Sequence, residues 1–149
     1  MELKKIFEKI DFVNRYRSIC EKYNDFDNSM DGNNRVLTQR VLDLYKYKNK
    51  YFSNGSFYQI KEEFEDVEFI LNLVLKQGIV ETLLYIKKEG KNVKPNGRID
   101  FLPEDLGIPY DRLKYGLPKY SSEKELEEIL KVLFSIYEDI KTEFLKQYC

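Results

Sequence analysis

The sequence predicts an all-α fold, an irregular bundle of about five helices with a long C-terminal helix at its centre. Three observations predict it. All four prolines, Pro95, Pro103, Pro109 and Pro118, fall in one stretch, with none before or after it. Proline breaks helix interiors, so the chain divides into helical, irregular and helical parts. Gly32, Gly55, Gly78 and Gly90 separate apolar segments in the first part, as glycine does after helix ends. Within those segments the apolar residues fit a helical repeat.

The first part reads as helices near 3–23, 35–51, 57–76 and 79–89. In the first, Leu3, Ile6, Phe7, Ile10, Val13 and Cys20 share a face, and Phe12, Tyr16, Ile19 and Tyr23 form an adjacent stripe. In the third, Phe57, Ile60, Phe64, Val67, Leu71, Val74 and Leu75 align. Phe69 and Leu73 lie off that stripe, which reads as a helix covered on two sides. The fourth carries Ile79, Val80, Leu83, Leu84 and Ile86. Residues 90–120 form a proline-containing irregular segment. It holds a small hairpin at Val93–Ile99 turning on Pro-Asn-Gly, a helical turn at Leu102–Leu106 and a short helix at Tyr110–Tyr115. Ser122 and Glu125 then make a capping-box pattern before the last helix. From Leu126 to Leu145 its apolar positions cover about half the helix circumference, as expected of a helix with several neighbours.

A single helical domain over residues 1–149 is the expected organisation. Hydrophobic content of 42% and charged content of 34% exclude a disordered chain. The longest uncharged apolar run, Phe69–Leu75, is too short to span a bilayer. The charged start, Met1 to Glu8, does not resemble a signal peptide, so cytoplasmic residence is the expectation. Cys20 reads as a small core residue and Cys149 as part of a frayed end, with no disulfide framework. Histidine is absent, which removes Ser-His and Cys-His chemistry and the commonest zinc ligand. Alanine is also absent while Lys, Tyr, Phe, Asn and Ile abound, the codon signature of an AT-rich bacterial genome. Part of the Lys and Tyr content is therefore background. No glycine-rich phosphate motif occurs, and no cofactor is expected.

Four stretches remain as candidates. Asp27–Gly32 opens like an EF-hand loop, but Thr38 stands where the bidentate glutamate belongs, so it reads as a polar turn. Glu62, Glu65 and Asp66 have the spacing that puts carboxylates on one helix face. That could serve a metal-dependent hydrolase, but without a second inward acidic pair it reads as a solvated face. Arg40, Lys46, Tyr47 and Lys50 share a helical flank that could hold nucleic acid; the net charge of −1 argues against this alternative. Tyr110, Arg112, Lys114, Tyr115, Lys119 and Tyr120 combine the residue types of binding hot spots with a loop setting, and are the chosen binding residues. The competing reading is that these rings cover the core. The expected function is a small bacterial protein-binding protein, an inhibitor or toxin-neutralising one, whose partner is another protein and not a membrane. A nucleic-acid-associated domain and a carboxylate-metal hydrolase are the alternatives.

Overall fold

The computed structural model describes residues 3–148, without the side chain of Tyr148, so the expectation for Cys149 lies outside the described residues. The fold is α+β, which corrects the all-α bundle. Its helices are α1 (Leu3–Lys9), α2 (Phe12–Lys22), α3 (Arg35–Leu42), α4 (Leu102–Asp105), α5 (Arg112–Tyr115) and α6 (Glu123–Tyr148). Its strands are β1 (Asn49–Phe52), β2 (Phe57–Phe64), β3 (Val67–Val74), β4 (Glu81–Lys88) and β5 (Lys91–Arg98). They form one antiparallel meander in the order β1-β2-β3-β4-β5.

The helices predicted at 57–76 and 79–89 are strands, and the error has a physical cause. The residues of β2 and β3 that face the helices are Tyr58, Ile60, Glu62 and Phe64, then Val67, Phe69, Leu71 and Leu73. Each run alternates with the period of a strand. The two-residue turn Glu65-Asp66 shifts the phase from even to odd positions. Summed across the turn, two alternating runs imitate a helical repeat. Phe69 and Leu73, which seemed to lie off a helical stripe, are fully buried in the core. In β4 the buried side is Thr82, Leu84 and Ile86, continuing from Val80 just before the strand, while Leu83 and Tyr85 on the other side are also apolar, which hides the alternation.

The other elements depart less. The predicted helix 3–23 is two helices, broken where Asp11 adopts a left-handed φ of 58°. The predicted helix 35–51 ends at Leu42, and Asn49–Phe52 pairs with β2 instead. The predicted hairpin at Val93–Ile99 does not form: Val93 pairs with Ile86 and Arg98 with Leu83, so both lie on one irregular edge strand. Pro95 and Gly97 suit an edge, where ladder bonds can lapse. The last helix spans Glu123–Tyr148 and is capped by Ser122 Oγ, which accepts from the Glu125 amide at 3.2 Å. Glu125 reaches back to the Ser121 amide at 2.8 Å, one residue earlier than a capping box requires.

Helix α6 crosses the covered face of the sheet. Phe69 meets Tyr137 and Phe144 edge-on at 6.5 and 5.9 Å. Leu126, Ile129, Leu130 and Phe144 are wholly buried. Truncating one of these leucines to alanine costs about 2–5 kcal/mol by ordinary core energetics. Helices α1, α2 and α3 also pack on α6. The loop between α2 and α3 presses on Gly78, where a Cβ would fall 2.5 Å from the Met30 amide nitrogen and φ is +69°. Glycine alone fits there. No helix among the described residues is long and apolar enough to cross a membrane.

Candidate functional site

The segment after β5 is held from beneath by a salt bridge. Arg98 grips the buried Asp100 with two hydrogen bonds of 3.1 and 2.9 Å and approaches Glu81 at 3.6 Å. Burial works against the Arg98 charge, but the Asp100 carboxylate outweighs it and raises the guanidinium pKa further. The Phe101 ring lies under both Arg98 and Arg112, whose guanidinium carbons are 4.5 and 4.1 Å from its centre. Arg112 also faces Glu104 at 3.6 Å. Helix α5 starts where Asp111 accepts from the Lys114 amide at 3.2 Å, and ends at Gly116 with φ 66°. It projects outward: Leu113 is 82% exposed, beside a concavity of about 460 Å³ lined by Glu104, Ile108, Tyr110 and Arg112.

The six predicted residues divide. Tyr110 and Arg112 line the concavity, and Lys114 is exposed. Tyr115 stacks on Tyr110 with ring centres 5.6 Å apart. Tyr110 in turn points its hydroxyl at the Cys20 sulfur, 3.7 Å away. Burial raises the Tyr110 phenol well above its ordinary value and pushes the Cys20 thiol up to about 11. Both are shifted toward the neutral form, and Cys20 is packed as a buried thiol. Lys119 and Tyr120 belong to a different contact. Lys119 bridges Ile79, and Tyr120 is wholly buried, donating its hydroxyl to the Leu75 carbonyl. The Tyr120 amide reaches Gly78 at 2.8 Å and its carbonyl accepts from Met30 at 3.0 Å. Tyr120 therefore pins two loops at one end of the sheet.

The residues of the basic flank lie on separate elements, because the helix that would align them stops at Leu42. Arg40 pairs with Glu123, with Nε at 3.1 and 3.2 Å from its two oxygens. Lys46 is exposed in the following turn, and Lys50 sits on β1 beside the Phe52 ring. Tyr47 turns inward against Phe134 at 4.7 Å and donates to Glu138.

The acidic candidates are also dispersed. Glu62 faces the core side of β2, whereas Glu65 and Asp66 form the hairpin tip, so the shared helix face does not exist. Among the described residues no three His, Cys, Asp or Glu side chains gather as a metal site would need. The Asp27–Gly32 stretch is part of a polar loop in which Asp25 accepts from Asn28 at 3.2 and 2.7 Å.

Sequence reasoning missed one cluster. Glu62 Oε1 accepts from the Tyr137 hydroxyl at 2.7 Å and the Lys141 ammonium at 2.6 Å. Lys141 also reaches Glu138 at 2.8 Å and lies over the Tyr137, Phe64 and Tyr47 rings. Only 7% of the Lys141 side chain is exposed. Burial favours the neutral Glu138 carboxyl, but hydrogen bonds from Lys141 and Tyr47 outweigh it and lower its pKa. Burial, then the Glu62 carboxylate, raises the Tyr137 phenol far above its usual range. The sequence signal was Lys141 standing four residues after Tyr137, inside the apolar arc of the last helix. Each donor here has an internal acceptor, so the cluster fastens α6 to the sheet.

Comparison with protein families, with curated proteins and with solved structures finds no match for this chain.

Proposed function

We propose that this chain is a small bacterial protein-binding protein of the inhibitor or toxin-neutralising kind, acting in the cytoplasm. The observation that supports the reading is the α5 prominence. A leucine exposed at 82% stands between Arg112 and Lys114 at the rim of a concavity. The Arg98–Asp100 bridge, the Phe101 stack and the Tyr110–Tyr115 pair support it from below. A prominence braced in this way loses little conformational freedom on binding, which favours affinity. Arginine and tyrosine around an apolar anchor are the make-up of an interface hot spot. A composition with only two cysteines suits a reducing compartment.

The test is purification at native level from the source cell, with wild type and the variants Leu113→Asp and Arg112→Glu compared. The expected result is a stoichiometric protein partner with the wild type that both variants lose. Bound nucleic acid, or a partner retained by both variants, contradicts the reading.

A further inference from the structure

The face of the sheet away from α6 carries an apolar centre. Register and alternation place Ile70, Val74, Leu83 and Tyr85 on it, all part-exposed and turned from the helices. Ile70 pairs with Tyr85, and Leu83 follows in the next row. The two amide side chains beside them, Gln59 and Asn72, are bonded to each other at 3.1 Å. A solvated strand face is mostly polar, whereas an apolar centre with charges around it is the layout of an interface.

Most charge on this face is balanced within the chain. Lys61 bridges Glu68 and Arg98 bridges Glu81, each at 3.6 Å. Two opposite charges remain on either side of β3. Glu63 on β2 and Lys87 on β4 lie in one register row, both next to Glu68, and neither makes an ion pair among the described residues. A two-fold axis running along β3 exchanges the β2 and β4 sides of two facing sheets. It sets Glu63 of one chain over Lys87 of the other, twice, and Ile70 over its own copy. Packed sheets lie about 10 Å apart, a gap that lysine and glutamate side chains together can bridge. Glu68 would meet its copy on the axis, but it already holds Lys61. Lys50 would face Arg98, which Asp100 and Glu81 already balance.

Size also fits a second copy. Strands β2, β3 and β4 have eight residues each. Five such strands cover roughly 24 by 27 Å, on the order of 650 Å² before side-chain relief, against the about 800 Å² that each partner buries in a stable complex. The edges are poorer contacts, because β1 has four residues and β5 carries Pro95 and a register shift. From this we infer that the open face of the sheet is a dimer interface whose occupant is a second copy of this chain. The two copies are related by a two-fold axis along β3, with reciprocal Glu63–Lys87 ion pairs beside a centre of Ile70, Leu83 and Tyr85. The inference goes beyond the α5 reading and uses no residue of α5.

The test is sedimentation of the purified full chain over a concentration series, at low and high salt. The expected result is a monomer–dimer equilibrium that weakens with salt. Ile70→Glu, Glu63→Lys and Lys87→Glu should each weaken the dimer at least about tenfold, and Leu113→Asp should leave it unchanged. Circular dichroism should show all four variants folded. An equimolar mixture of Glu63→Lys and Lys87→Glu should dimerise about as tightly as the wild type, because each chain then meets the opposite charge on the other. A misfolded variant could not be rescued in this way. A wild type that stays monomeric at every concentration overturns the inference. So does a dimer that Ile70→Glu leaves intact, or a pair of charge variants that gains nothing on mixing. Loss of the dimer in Leu113→Asp also overturns it, because the contact would then lie at α5.

Discussion

Two tyrosine-rich stretches look alike in composition and are used differently. Around Tyr45 and Tyr47 the rings turn inward: both lie on Phe134, and their hydroxyls end on the Glu127 carbonyl and the Glu138 carboxylate of α6. Around Tyr110 and Tyr115 the rings stack on each other, and the chain between them projects Leu113 into solvent. Tyr110 donates only to a thiol at 3.7 Å, a weak acceptor. The first stretch therefore spends its polar groups on fastening the fold, and the second props up a surface. The two stretches differ in where their phenol hydroxyls end, on acceptors of α6 in the first and on a weak thiol acceptor in the second.

Variants can break this comparison. The largest effect belongs to the cluster that the first stretch joins. Lys141→Ala leaves Glu62 without its buried cation, and should cost about 3–5 kcal/mol in a denaturant titration. Tyr47→Phe removes one charge-assisted bond to a part-exposed carboxylate, and should cost about 1–2 kcal/mol. Tyr110→Phe should stay within about 0.5 kcal/mol of the wild type, because only the thiol contact is lost. An equal cost for Tyr47→Phe and Tyr110→Phe would erase the distinction.

Acid should act mainly on the fastening side. Glu138 is lowered from 4.5 against the pull of burial, and Glu123 and Glu143 are lowered chiefly by hydrogen bonds from Arg40 and from Lys9 and Lys146. A carboxyl that holds its proton less firmly when folded adds stability above its unfolded value. That stability is lost as pH falls through the folded value. Melting temperature should hold steady down to about pH 5 and fall below about pH 4.5. Cys20 gives the smallest readout. In a Cys149→Ser background a thiol reagent at pH 8 should leave native Cys20 unmodified and label it after denaturation, since the thiol is buried with its pKa raised to about 11.

How much of this was legible depends on how local each signal is. The last helix was, because its cap and its apolar arc lie within one continuous segment. Helix α5 was, because Pro109 and Gly116 bracket it. The sheet was not. Its β2–β3 turn is Glu65-Asp66, with Glu65 at φ 55° where glycine or asparagine would have signalled a hairpin. Leu83 and Tyr85 made β4 apolar on both sides. Of the residues the sequence suggested for binding, Tyr110 and Arg112 met at one concavity, whereas Tyr120 was core, since composition cannot show whether a ring lies inside or outside. The Glu62–Lys141 bond spans 79 residues and left only a lysine out of place on an apolar arc.

We propose that recognition resides on α5 while the inward tyrosines serve stability. The measurement that decides this division is the affinity of the proposed protein partner for Leu113→Asp and for Tyr47→Phe, with the melting temperature of each. This division predicts about thirtyfold or greater weakening for Leu113→Asp at unchanged melting temperature, and full affinity with lowered melting temperature for Tyr47→Phe. Full affinity in Leu113→Asp, or lost affinity in a folded Tyr47→Phe, would contradict it.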